Sequence, residues 1–96
     1  METGWDGVRV KSLFYDPVRK VRTMLMRMES GASYPPHSHG ADEQCMVLEG
    51  DVRCGDLVLH AGDFQCLPAN SRHEETNSVN GCLLLITASD HNAVLM

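Results

Sequence analysis

Alternating apolar and polar residues recur in short segments along the chain, which is typical of strands that bury one face. The clearest alternation runs from residue 21 to 28, where Arg22, Met24, Met26 and Met28 share one face. If this methionine face is the inner one, Met24, Met26 and Met28 form a soft wall inside the fold. Simple core packing is the plainer interpretation, and lining of a ligand pocket is the sharper one.

Shorter apolar runs, separated by Gly, Pro and Asp residues, predict further strands. They cover residues 8–15, 43–48, 52–54, 57–59, 64–67 and 82–87. Turns are predicted between them at 16–17, 49–51, 54–56 and 60–63. No segment of useful length has the helical period. About eight to ten short strands with this punctuation predict an all-β sandwich or barrel.

Length and charge narrow the class of protein. The 96 residues predict a single domain, 1–96, with a core of modest size. A net charge of -5 and a pI near 5.4 argue against nucleic acid and against an anionic membrane surface as partners. No apolar run has the length of a membrane span, and the first residues do not resemble a signal peptide. We therefore expect a soluble, cytoplasmic protein.

The four cysteines, Cys45, Cys54, Cys66 and Cys82, form no C-x-x-C pair, and three of them lie in apolar surroundings. In a reducing compartment such residues are expected to be buried thiols rather than disulfides.

The candidate chemistry lies between Gly31 and Gly50. His37 and His39 are one residue apart, and Glu43 follows four residues later. In an extended chain these side chains fall on one face, and imidazole with carboxylate suits one divalent ion of Zn, Fe, Mn or Ni. The alternatives are Asp42 or Gln44 in place of Glu43, or exposed histidines in a proline-rich loop.

The order G-x5-H-x-H-x3-E-x6-G, filled by Gly31, His37, His39, Glu43 and Gly50, resembles the first motif of the cupin superfamily. That resemblance implies the cupin-type double-stranded β-helix, a small jelly-roll barrel, spanning about residues 21–88.

A second segment is similar to the second cupin motif, G-x5-P-x-G-x2-H-x3-N. Gly62, Pro68, His73 and Asn77 fill it, and Asn70 stands at the position where the family usually has glycine. Asn is the residue after glycine that best accepts a positive φ, so we interpret this as a tolerated turn. The resemblance implies that His73 is the fourth metal ligand.

Within the superfamily, residues 14–17 and 22–31 together with the first motif resemble the ChrR-type cupin, the metal-binding C-terminal half of certain anti-sigma factors. In those proteins an N-terminal helical zinc-binding domain binds the sigma factor, and nothing of that kind fits these residues. A sensing role would then require a separate protein partner.

After Glu43 the alternation continues, with Cys45 and Val47 on the ligand face and Met46 and Leu48 on the opposite face. The two ligand-face residues are candidate pocket residues. The apolar residues on the outer face need a cover, either the N-terminal strand or a second subunit, and we expect a homodimer.

Other residues near the predicted ligands have weaker candidate roles. Tyr34 is a candidate pocket residue and proton donor, although packing explains it equally well. Cys45 is a candidate redox-responsive thiol, with buried filler as the alternative. Glu74 and Glu75 are expected to be solvated, unless one accepts a hydrogen bond from a ligand imidazole. No residue is assigned a catalytic role.

Three functions follow from the predicted ligands. Tetrahedral zinc with four protein ligands suits a structural site or a sensor of an oxidant or small molecule. Octahedral iron, manganese or nickel leaves two positions, as in a dioxygenase acting on a small diketone, phenolic or thiol compound. A ligand-binding cupin in which the metal only stabilises the fold is the third. Aromatic residues are few, which argues against a carbohydrate ligand.

Overall fold

A computed structural model describes residues 5–34, 37–38, 42–68, 72–73 and 75–89, with backbone only for 34, 37–38 and 72–73. All the regular structure in these ranges is β-strand, which confirms the predicted all-β class, and no helix there could span a membrane. The strands are β1 (Val8–Asp16), β2 (Val21–Met28), β3 (Ser33–Tyr34), β4 (His37–Ser38), β5 (Glu43–Cys54), β6 (Leu57–His60), β7 (Phe64–Leu67), β8 (Arg72–His73), β9 (Thr76–Asn77) and β10 (Cys82–Ser89).

Eight strands form the larger sheet, in the order β1-β2-β10-β5-β9-β3, with β6 and β7 also paired to β5. Strands β4 and β8 form a separate pair. β1 and β2 form a hairpin, whereas β10 returns late in the sequence to lie between β2 and β5. This late insertion joins the two halves of the chain, and all the strand pairs are antiparallel.

Strand β5 differs from the sequence prediction, because the turn predicted at 49–51 is wrong. The strand continues through Gly50, which has a φ of 78°. Leu83 pairs with Glu49 but Leu84 pairs with Val47, so β5 has one extra residue, a β-bulge. The residues before the bulge pair with β10 and β7, Glu49 and Gly50 just after it still pair with β10, and the residues from Asp51 on pair with β6 and β9. A glycine that resembles a turn in the sequence is therefore a bend within one long strand.

The core packs against the inner face of the sheet formed by the neighbouring strands β2, β10 and β5. Met24, Met26 and Met28 are 3%, 0% and 1% exposed, so the methionine face of β2 is the inner one. The other buried apolar residues are Val8, Ala32, Cys45, Val47, Val52, Leu59, Cys82, Leu84, Ile86 and Ala88. All four cysteines are free, as predicted, with Cys66 exposed.

Asp51 holds the connection between β9 and β10, a role that the sequence analysis did not identify. Its carboxylate accepts hydrogen bonds from the backbone N–H groups of Val79, at 3.0 Å, and Asn80, at 3.1 Å. The Ser78 hydroxyl donates to the Asp51 carbonyl at 2.6 Å. Burial alone would raise the pKa of Asp51, but these hydrogen bonds outweigh it and lower the pKa below its ordinary value.

The outer face of the sheet carries one continuous apolar row. Leu25 of β2 is opposite Leu85 of β10, Leu85 is opposite Met46 of β5, and Met46 is opposite Phe64 of β7. Met46 and Phe64 are 37% and 56% exposed. The N-terminal strand β1 lies beside β2 at the end of the strand order, so it does not cover Met46 or its neighbour Leu48.

Candidate metal site

The two motif segments meet where β4 pairs with β8. In this antiparallel pair His37 is directly opposite His73, and Ser38 is opposite Arg72. Directly opposite residues in antiparallel strands have Cα atoms roughly 4.5–5.5 Å apart. The fold therefore brings the backbones of these two predicted ligand positions, one from each motif, next to each other.

The same register extends into the neighbouring strand pair. Ser33 is opposite Asn77 and Tyr34 is opposite Thr76 in β3 and β9, so paired residue numbers sum to 110 (33 + 77 and 34 + 76). His37 and His73 give the same sum (37 + 73 = 110). The two strand pairs therefore have the same register, although β4 and β8 form a separate pair. The β3–β9 pair is attached to the second half of β5 through the pairing of β9 with Arg53 and Cys54.

Glu43 is the first residue of β5, opposite Leu67 of β7. Its side chain is 2% exposed, whereas those of Asp42 and Gln44 are exposed. The two alternatives to Glu43 therefore do not share its buried position.

Burial changes the ionisation of this carboxyl group. Desolvation raises the pKa of Glu43 from 4.5 to about 7. A buried carboxylate is costly unless a positive charge compensates it. A divalent cation bound here would supply that charge, so the environment of Glu43 fits a metal ligand.

For several predicted site residues, the structure describes the backbone only or does not describe the residue. His39, Asn70 and Glu74 lie outside the described residues, and for Tyr34, His37 and His73 only the backbone is described. Among the described side chains, no three His, Cys, Asp or Glu residues are grouped to hold a metal. The side chains of the three predicted histidine ligands are not among those described, so the four-ligand set stays a prediction.

The predicted pocket residues lie at different distances from Glu43 along the strands. Cys45 is opposite Ile86, which is opposite Met24, so Met24 and Cys45 lie one row of inward-facing residues beyond Glu43. In the same way Met26 and Val47 lie in the next row. Met28 is opposite Cys82, which is opposite Gly50. Seven residue steps along β5 separate Glu43 from Gly50, roughly 20 Å, so Met28 packs at the far end of the core.

Cys45 has the environment of an inert thiol. Burial, together with the nearby Glu43, Cys54 and Cys82, raises its pKa to about 12. The thiolate is the reactive species, and at neutral pH almost none forms at this pKa. The structure therefore favours buried filler over a redox-responsive role for Cys45.

Arg22, on the inner face of β2, and its partner Tyr15, which is 36% exposed, are residues near Glu43 that the sequence analysis left without a function. Arg22 is opposite Ala88 in β10 and opposite Tyr15 in β1. Thr87 pairs with Gln44, so Ala88 and Glu43 come next along these two strands. The available signal was a charged residue on the otherwise apolar methionine face of β2.

The antiparallel strands and the two motif segments define a cupin. The family model of the ChrR Cupin-like domain matches residues 2–92, and the chain belongs to this family. No curated protein matches the sequence.

Solved structures have the same fold. An acetylacetone dioxygenase from Acinetobacter johnsonii matches with a TM-score of 0.81 and 15% identity, over 88% of this chain and 62% of that one. An RmlC-like cupin from Ralstonia eutropha JMP134 matches with a TM-score of 0.80 and 23% identity, over 98% and 72%. The complex of Rhodobacter sphaeroides SigE with the anti-sigma ChrR matches with a TM-score of 0.75 and 22% identity, over 92% and 49%.

These similarities establish the cupin fold, the double-stranded β-helix expected from the motifs. The chain spans less than two thirds of the dioxygenase and about half of the matched chain in the complex.

Proposed function

We propose that this protein is a mononuclear metal-binding cupin in which His37, His39, Glu43 and His73 bind one divalent ion of Zn, Fe, Mn or Ni. The observation that carries the proposal is the pairing of His37 with His73, which joins the two motifs. The buried Glu43 supports it, because the positive charge of an ion would offset the cost of ionising this carboxyl group.

The proposed role of the ion is to sense an oxidant or a small molecule. Membership of the ChrR Cupin-like domain family supports this role, as does the similarity to the complex of SigE with the anti-sigma ChrR. The four free cysteines are consistent with a reducing, cytoplasmic setting. The inert environment of Cys45 favours the ion, rather than this thiol, as the responsive group.

The second candidate is a metal-dependent dioxygenase that acts on a small diketone, phenolic or thiol compound. The similarity to the acetylacetone dioxygenase from Acinetobacter johnsonii favours it. An octahedral ion with four protein ligands keeps two positions, which one substrate oxygen and dioxygen, or a chelating substrate alone, would fill. Oxygen consumption with acetylacetone under air, by protein containing iron, would select this candidate. Zinc without exchangeable water would select the sensor.

The test of the metal site is uptake of zinc by purified His73→Ala, with His60→Ala as the matched control. His60 is exposed and outside both motifs. We expect one ion per chain in the unmodified protein and in the control. His73→Ala should bind zinc at least tenfold more weakly, because one of four ligands is lost. Equal zinc affinity of His73→Ala and the unmodified protein would contradict the proposal.

We also propose that the outer apolar row is the interface of a homodimer. Leu25, Leu85, Met46 and Phe64 form one strip across four strands, and an apolar strip of this kind is stabilised by a partner surface. Phe64→Glu places a charge in the strip, and we expect it to shift the mass measured by light scattering from dimer to monomer. Val18→Glu is the control, since Val18 is 90% exposed in the β1–β2 turn. A monomeric unmodified protein, or a dimeric Phe64→Glu, would exclude this interface.

A further inference from the structure

Arg22 is a cation on the inner face of the sheet, at the end where Glu43 begins β5. Its strand neighbour Ala88 is 2% exposed, and directly opposite residues of antiparallel strands share a face. Tyr15, Arg22 and Ala88 therefore form one row, and Glu43 comes next along β5 after Gln44, the partner of Thr87. Arg22 is on the inner face of β2, whereas Arg27 of the same strand is on the outer face.

In the described part of the chain, the Arg22 guanidinium group contacts an aromatic ring and no carboxylate. Its guanidinium carbon lies 5.1 Å from the centre of the Tyr15 ring, a cation–π contact that orients the group without using its N–H donors. Its Nε atom is buried and has no hydrogen-bond partner among the described residues.

Three other arginines form ion pairs on the protein surface, whereas Arg22 does not pair with a described carboxylate. Arg9, Arg19 and Arg27 each lie 3.7–4.0 Å from a surface carboxylate. No carboxylate in the described part of the chain forms an ion pair with Arg22.

The distance between Arg22 and Glu43 sets the length of a ligand that would contact both residues. Two strand spacings separate the two residues, which puts their Cα atoms roughly 10 Å apart. The residue between them, Ala88, has only a methyl side chain. A molecule of a few carbon atoms is long enough to reach from the guanidinium group to an ion bound at Glu43.

We propose that Arg22, oriented by Tyr15, binds the carboxylate of a small organic acid in this cupin. The inference rests on the proposed metal site, because the ion would hold the other oxygen atoms of the acid. Arginine suits this role, since its planar fork donates two parallel hydrogen bonds to a carboxylate. The ligand class is therefore a short keto acid, in preference to a neutral diketone of the same length.

The test compares acetoacetate with acetylacetone, which carries a methyl ketone in place of the carboxylate. Calorimetry on the zinc-loaded protein is expected to show at least tenfold tighter binding of acetoacetate. Arg22→Gln should lose this preference and retain its zinc, and Arg22→Lys should lose part of it, because it keeps the charge but not the fork. Arg27→Gln is the matched control on the outer face of the same strand. Tyr15→Phe should keep the preference, because the ring is retained.

The outcomes separate this inference from the metal proposal. If Arg22→Gln binds zinc and still prefers acetoacetate, the inference is overturned and the metal site is unaffected. If the unmodified protein takes up no zinc, the metal proposal fails, and acetoacetate is then titrated into the protein as purified. Binding that depends on Arg22 would support the inference in that case, and no binding would overturn it.

Discussion

Glu43→Gln is expected to stabilise the metal-free protein by about 3 kcal/mol at pH 8 and to leave its stability unchanged at pH 4. The cause is the buried position of the Glu43 carboxyl group, 2% exposed, which raises its pKa to about 7. Glutamine has nearly the shape of a protonated glutamate and carries no charge at either pH. The variant therefore removes the cost of a buried negative charge and keeps nearly the same side-chain shape.

The direction of the pH dependence follows from proton binding. An unfolded glutamate loses its proton near 4.5, whereas folded Glu43 keeps it up to about pH 7. Between these values the folded protein binds more protons than the unfolded chain, so raising the pH favours unfolding. The stabilising effect of protonated Glu43 is complete below about pH 4.5 and lost above about pH 7.

Urea unfolding from pH 4 to pH 8, measured on the unmodified protein and on Glu43→Gln without metal, checks this prediction. With zinc bound, the order should reverse at pH 8, because the ion binds the glutamate carboxylate and the variant loses a ligand. A difference between the two metal-free proteins that does not change with pH would contradict the buried carboxyl group.

The strands of the fold could be predicted where one face is buried and the other is not. The alternation in residues 21–28 gave β2 with its bounds and its inner face, because burial repeats every second residue. The turn between β5 and β6 was predicted from Cys54-Gly55-Asp56, and the structure has it there. Glu49-Gly50-Asp51 has similar composition and lies within β5, directly after the bulge, because pairing with β10 on one side and β6 on the other continues the strand. Local composition does not contain those distant partners.

The candidate site shows the same limit. Motif spacing selected His37 and His73 from distant segments, and the structure puts their backbones opposite each other. Alternation placed Met28 on the ligand side of its strand, but parity gives the face and not the position along it, and Met28 packs far from Glu43. Arg22 depends on the register of β10, which places Ala88 between Arg22 and Glu43. No local pattern in the sequence fixes that register.

Gly50→Ala is expected to destabilise the protein by about 4 kcal/mol, with failure to fold as the extreme result. Two costs add at this position. The φ of 78° is a backbone conformation that residues with a side chain rarely adopt. A Cβ atom would also overlap the Gly81 carbonyl oxygen and lie 3.0 Å from the Cys82 Cα atom. Both atoms belong to the backbone next to and within β10, so relief requires a shift of the β5–β10 pairing at the bulge.

Gly62→Ala is the matched control for this prediction. Gly62 has a φ of 94°, but nothing lies within 4 Å of a Cβ atom built there. Only the backbone cost applies, roughly 1–2 kcal/mol. Urea unfolding of the two variants beside the unmodified protein separates the steric cost from the conformational one. Equal destabilisation by Gly50→Ala and Gly62→Ala would show that the bulge does not hold β5 tightly against Gly81, and the bend of β5 would then need another cause.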